Sequence, residues 1–281
     1  MNSPEQRSPV APHRESPDEG HQKSLRGQVR EGASAAVMQG SGETYLSAFA
    51  LLLHATPFQI GLLAAVPPII GTAAQLLSVK VLDRVKSRKP LILFGAAGQA
   101  LAWLPLFFLP MLFPSYGAWL LLTVVALYVA MGHLTVPAWN SLITDMIDDD
   151  RRGMYFARRA KVVALTSFAA LSAAGIVLHA SETWTNPAWG FGIIFVFAAI
   201  ARLISTGYLA RLQELPAREG VKREAGVRDF LRARRSVMFR RFLIFSGCFH
   251  VAAMMAGPFF VVYLLRDLHL TYLQYGLWLA A

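Results

Sequence analysis

Apolar residues in this chain come in long unbroken runs, not in the alternation of a half-buried strand or the single stripe of a surface helix. A helix needs about 20 predominantly apolar residues to cross the hydrocarbon core of a bilayer. Seven stretches meet that requirement: Ala33 to His54, Phe58 to Val79, Pro90 to Pro110, Gly117 to Ile143, Val162 to Ala180, Trp189 to Leu209 and Phe242 to Leu264. An eighth begins near Thr271 and reaches Ala281 as about half a crossing. The pattern predicts an all-α membrane protein with a six-helix bundle over 33–209, a polar connection over 210–241 and the truncated start of a second bundle over 242–281. Connections of a few residues after the first, third and fifth spans predict antiparallel hairpins. No repeat between the two bundles is evident in the sequence.

Composition sharpens this. With 55% hydrophobic and 16% charged residues the chain lies outside soluble globular usage, where about a quarter of residues are charged. Its net charge is +10, but all of the 27 Lys and Arg residues except Arg266 fall in the N-terminal tail and in alternate gaps around Lys80 to Lys89, Arg151 to Lys161 and Arg202 to Arg241. Charge that flanks spans in this way sets topology and predicts a cytoplasmic N-terminus. It forms no single basic face, so nucleic acid is not an expected partner. Residues 1–32, rich in Pro, Ser, Gly, Glu and Arg, are expected to form a disordered cytoplasmic tail. They lack the early apolar segment of a cleavable signal. In the connection, Val227, Phe230, Leu231 and Met238 fall at helical spacing among Arg234 and Arg235, which fits either an interfacial amphipathic helix or a solvated basic linker.

Glu43 stands out because it lies about halfway along the first span. A carboxylate at that depth costs about 2.5 to 3.5 kcal/mol or more, and such groups face a cavity or a partner. Gln39 and Ser47 fall one turn to either side and make a polar stripe with it. Either a proton-carrying role or a structural hydrogen bond fits this placement. Arg202, within about two turns of the end of the sixth span, is expected to snorkel to the headgroups. The adjacent Pro67 and Pro68 are expected to bend or loosen the second span. Ala169 with Ala173, and Ala170 with Ala174, give the fifth span small faces for close packing. Cys248 reads as a packing residue within the seventh span.

Between the second and third spans the sequence runs Asp83, Arg84, Val85, Lys86, Ser87, Arg88, Lys89, Pro90. This resembles the Asp-Arg-x-Gly-Arg-Arg/Lys loop of the major facilitator superfamily, with Lys86 and Ser87 standing where that family has one glycine. Asp145, Arg151, Arg152 and Gly153, followed by Arg158 and Arg159, resemble the family's second acidic and Arg-Gly loop. The resemblance implies two six-helix halves of which the second is incomplete here, with helices 1, 4 and 7 lining a central cavity. His133 on the fourth span and His250 on the seventh, both on helices that the resemblance makes cavity-lining, join Glu43 and Gln39 as candidates to touch solute or protons. Asn140, nearer the inner membrane face, fits the pathway, a gate or helix packing. The resemblance also makes Asp83, Arg84, Arg88, Lys89, Asp145, Arg151 and Arg152 a candidate conformational latch, whose partner would lie on a late helix of the second half.

No P-loop, HExxH or Ser-His-Asp spacing is present, so an enzyme, an ATP-driven pump, a cofactor and a metal are not expected. Asp148, Asp149 and Asp150 read as a solvated turn or a helix start beside Arg151 and Arg152. The reading is a secondary transporter of a small solute, working by alternating access in the lipid bilayer and coupled to protons through Glu43. A plasma membrane, of the bacterial inner-membrane kind, is the expected location. A seven-helix receptor or sensor, a membrane-embedded lipid enzyme and a non-transporting half that needs a partner are the rivals.

Overall fold

The computed structural model describes residues 17–82, 84, 87–113, 115–147, 149–183, 186, 188–212 and 236–280. Asp83, Asp148 and the stretch carrying Val227 to Arg235 lie outside them. The described elements are all helical: α1 (Pro17–Ser41), a 3-10 turn (Glu43–Tyr45), α2 (Leu46–Leu52), α3 (Pro57–Leu82), α4 (Lys89–Leu112), α5 (Gly117–Met146), α6 (Asp149–Ser181), α7 (Ala188–Ala210), α8 (Val237–Val262), a π-helical turn (Tyr263–Asp267) and α9 (Tyr272–Ala280). Five of them, α3 to α7, are long and apolar enough to cross a membrane.

The first span is not one helix. It breaks at Gly42, where a Cβ would meet the Trp103 ring at 2.8 Å and the Ala198 methyl at 2.9 Å. Close approach of α1 to α4 and α7 therefore requires glycine there, and the chain tightens into a 3-10 turn, with the Tyr45 amide donating to the Gly42 carbonyl at 3.1 Å. The expectation of a disordered tail through residue 32 fails from Pro17 onward. Gln28 and Glu31 are buried, because the face Gln28, Glu31, Met38, Tyr45 continues past the apolar run at helical spacing. The helix that carries the fifth span starts well before its apolar run, at Asp149. The Pro67 and Pro68 pair does not interrupt the assigned helix of α3. Cys248, expected to pack, is exposed on α8.

Helix neighbours follow apolar faces more than loop lengths. α3 packs on α5, α4 on α5 and α7, and α1 on α6 and α7, so only the α4–α5 hairpin of the three expected is a major packing pair. A short loop fixes the ends of two helices, whereas small residues decide where their lengths touch. At one end of the bundle, away from Arg88 and Lys89, rings close the interior. Phe49 meets Phe195 at 4.9 Å and Phe191 at 5.2 Å, and Trp103 meets Tyr128 at 5.0 Å. Tyr45 donates to the Leu171 carbonyl at 3.0 Å and packs edge-on against Tyr275 at 5.9 Å, which ties α6 and α9 to the break in the first span.

An internal repeat emerges from the turns. His54, Thr56, Gln59, Gly61 and Leu62 recur at the same spacing as His269, Thr271, Gln274, Gly276 and Leu277. Both histidines have positive φ, 55° and 51°, as residues that terminate a helix often do. Thr56 and Gln59 then cap α3 reciprocally, with the Thr56 amide donating to Gln59 Oε1 at 2.9 Å and the Gln59 amide to Thr56 Oγ1 at 3.3 Å. Thr271 and Gln274 repeat that box ahead of α9 at 3.0 and 3.3 Å. The two glycines both face the other bundle's first span: a Cβ on Gly61 would contact Phe259, and one on Gly276 would meet the Tyr45 hydroxyl at 2.7 Å.

Candidate functional site: a polar cavity in the bundle

Polar side chains gather along one cavity of about 410 Å³ between α1, α4, α5, α6 and α7. The first span supplies Glu31, Gln39 and Glu43; α5 supplies Tyr128, His133, Trp139 and Asn140; and Gln99, Arg159 and Arg202 come from α4, α6 and α7. The aromatic plug closes the end near Glu43, and the cavity runs from there toward the end of the bundle that carries the basic loops. A larger depression of about 720 Å³ lies on the opposite end, between His54, Ala55, Arg266 and Tyr272. Its lining is mostly aliphatic, so the chemistry resides in the smaller cavity.

Glu43 sits in the 3-10 turn, where the helix break turns its side chain into the cavity. Its Oε2 accepts a hydrogen bond from the Tyr128 hydroxyl at 2.9 Å. Nearby, His133 Nδ1 lies 3.3 Å from Gln75 Oε1, so α3 and α5 share a polar contact at the same wall.

Deeper along the cavity is a charged network. Glu31 receives Arg159 Nη2 at 3.0 Å on one oxygen, and on the other the Ser205 hydroxyl at 3.0 Å, with Arg202 Nη1 at 3.6 Å. Arg202 also donates to Ser205 Oγ at 2.8 Å and to Gln99 Oε1 at 2.6 Å. The Arg159 guanidinium lies 4.7 Å above the Trp139 ring, whose N–H donates to Gln28 Oε1 at 3.1 Å. One carboxylate thus joins α1, α6 and α7 around two guanidiniums.

A sequence model of the Major Facilitator Superfamily matches residues 33–281. The chain belongs to that superfamily. No curated protein and no solved structure matches it. As a superfamily member it is a multi-pass membrane protein and a transporter whose substrates are small molecules.

Four of the five pathway residues read from the sequence, Glu43, Gln39, His133 and Asn140, line the one cavity. His250 does not: it is exposed on α8, with Nδ1 at 3.1 Å from the Ser246 carbonyl. Arg202 is no headgroup anchor, since its side chain is only 8% exposed. It continues the buried face Phe191, Phe195, Ala198, Ser205 and Leu209 at helical spacing, and that register was the missed signal. Glu31 was missed because the low hydropathy around it read as tail.

Of the latch residues, Arg88 and Asp145 meet at 2.7 Å, with Ser141 Oγ at 2.9 Å from the same nitrogen. Lys89 donates to the Leu212 carbonyl at 2.9 Å. Arg84 and Arg151 are exposed, Arg152 is partly buried, and Asp83 lies outside the described residues. Both members of the Arg88–Asp145 pair are nearly buried, 12% and 10% exposed. Asp145→Asn should therefore cost about 3 kcal/mol of bundle stability, the order found when one partner of a buried pair is removed. Thermal unfolding of the purified protein measures this, and the double variant Arg88→Met with Asp145→Leu should regain much of the loss.

Proposed function

We propose that this protein is a secondary active transporter that moves a small solute by alternating access through the polar cavity, coupled to protons at Glu43. The observation that carries the reading is the Glu43 carboxylate at the helix break, facing the cavity and held by the Tyr128 hydroxyl. A carboxyl group that is reached from a cavity and has a hydroxyl partner suits proton uptake and release as the cavity opens and closes. The aromatic plug on one side and the open polar lumen on the other fit a state open toward the basic loops. The Arg88–Asp145 pair fits a brace that keeps α4 and α5 one rigid body while the halves rock.

Glu43→Gln supplies the test. In proteoliposomes it should abolish uphill, proton-driven uptake while leaving exchange of solute down its own gradient. Uphill uptake with unchanged pH dependence would remove Glu43 from the coupling.

The Lys and Arg distribution supports an N-terminus in the cytoplasm and a plasma membrane of the bacterial inner-membrane kind. Reporters fused at Pro114 and Ser87 should then read opposite sides of the membrane, with Ser87 cytoplasmic.

A further inference from the structure

The charged network inside the cavity contains more cationic than anionic groups. Among the described residues, Glu31 is the only carboxylate ion-paired with either Arg159 or Arg202. Glu43, the other acid lining the cavity, is engaged by Tyr128 instead. The two guanidiniums therefore share one negative charge, and a buried charge without its counterion costs several kcal/mol. Hydrogen bonding shows the same imbalance. Arg159 Nε, Arg202 Nε and Gln28 Nε2 are buried donors without acceptors. Arg202 is more than nine-tenths buried yet lines the lumen, and Arg159 is 20% exposed, with its guanidinium carbon 4.7 Å over the Trp139 ring. Such planar forks match the paired oxygens of a carboxylate or phosphate.

We propose that the solute carried in this cavity bears an acidic group, a carboxylate or phosphate, which seats against Arg159 and Arg202 in competition with Glu31. Glu31 then stands in for the solute when the cavity is empty, satisfying the two guanidiniums that the acidic group takes over. A cationic solute would meet the net positive charge of the Arg159, Arg202 and Glu31 cluster, and a neutral one would leave that excess uncompensated. The inference rests on the transporter reading above and narrows its substrate class.

The test uses the full chain in proteoliposomes supplied with succinate, lactate, inorganic phosphate and glucose 6-phosphate beside succinamide, lactamide, glucose and putrescine, with uptake read by mass spectrometry. Uptake is expected among the acids alone. Arg159→Gln should cut it about 30-fold, the loss of one charge-assisted hydrogen bond, while Arg159→Lys retains a larger share. Glu31→Gln should lower the apparent KM for the transported acid about tenfold, because the competing carboxylate is gone. A structural role for Glu31 would instead weaken uptake without improving affinity, and that result overturns the competition. Uptake of the amides, glucose or putrescine that is indifferent to Arg159→Gln overturns the acidic-group assignment and leaves the transporter reading standing. No uptake of any probe counts against both.

Discussion

Gly40→Leu is expected to leave almost no folded protein in the membrane. A Cβ at this position would strike the carbonyl oxygen of Ser167 and come within 3.1 Å of the Ala170 methyl. The obstacle is backbone on α6, which cannot rotate away as a side chain can. Relief requires moving α1 off α6 along the seam where the first and fifth spans pack. That movement would also pull Tyr45 from the Leu171 carbonyl and Glu31 from Arg159. Overpacking commonly costs about 1 to 3 kcal/mol, and a clash with a helix backbone belongs at or above the upper end. The measurement is the amount of monodisperse protein after detergent extraction; Gly40→Ala should give a milder version of the same loss. Gly27, on the same helix with nothing within 4 Å of its Cβ position, is the control and should tolerate alanine.

Arg202→Met should be the most damaging change within the cavity. The guanidinium bonds to Ser205 and Gln99 and pairs with Glu31, so methionine leaves Gln99 Oε1 without that donor and Glu31 with Arg159 as its charged partner beside the Ser205 hydroxyl. Removal of one partner from a buried charge cluster costs about 3 to 5 kcal/mol. Arg202→Lys keeps the charge but cannot reach serine, glutamine and glutamate from one planar fork, and an intermediate loss is expected. Thermal unfolding in nanodiscs separates the three proteins. Equal stability of the methionine variant and the parent would show that the network contributes nothing to the bundle.

The apolar runs revealed the helices because hydrocarbon imposes a length on every span, and that demand is written residue by residue. They misplaced Glu31 and Arg202 for the same reason. Hydropathy averages around a helix, whereas burial belongs to one face. Arg202 sits in a run apolar enough to span, and only its register with Phe195 and Ala198 shows that it points inward. Glu31 sits in a polar stretch, and only its register with Met38 shows the continuing face. Glu43 was legible since a lone carboxylate in a span has few explanations. Its Tyr128 partner was not, because nothing in the sequence says which face of α5 turns toward the first span. The break at Gly42 was hidden too: Trp103 and Ala198, the groups that exclude a side chain there, come from distant helices.

The twin capping boxes impose a parity on the chain. His54 and Ala55 flank the same depression as Leu270 and Tyr272, so both turns lie at one end of the bundle. A path that leaves one end and returns to it must cross an even number of times. Helices α3 to α7 supply five crossings, and the segment 211–236 holds no apolar run long enough to make another. The sixth crossing falls to α8, whose flank of Arg240 and Arg241 lies at the start of the helix and leaves the remainder free to span. Even count therefore agrees with the apolar run Phe242 to Leu264 in making α8 the sixth traverse of the bundle, and the second bundle starts in the same sense as the first.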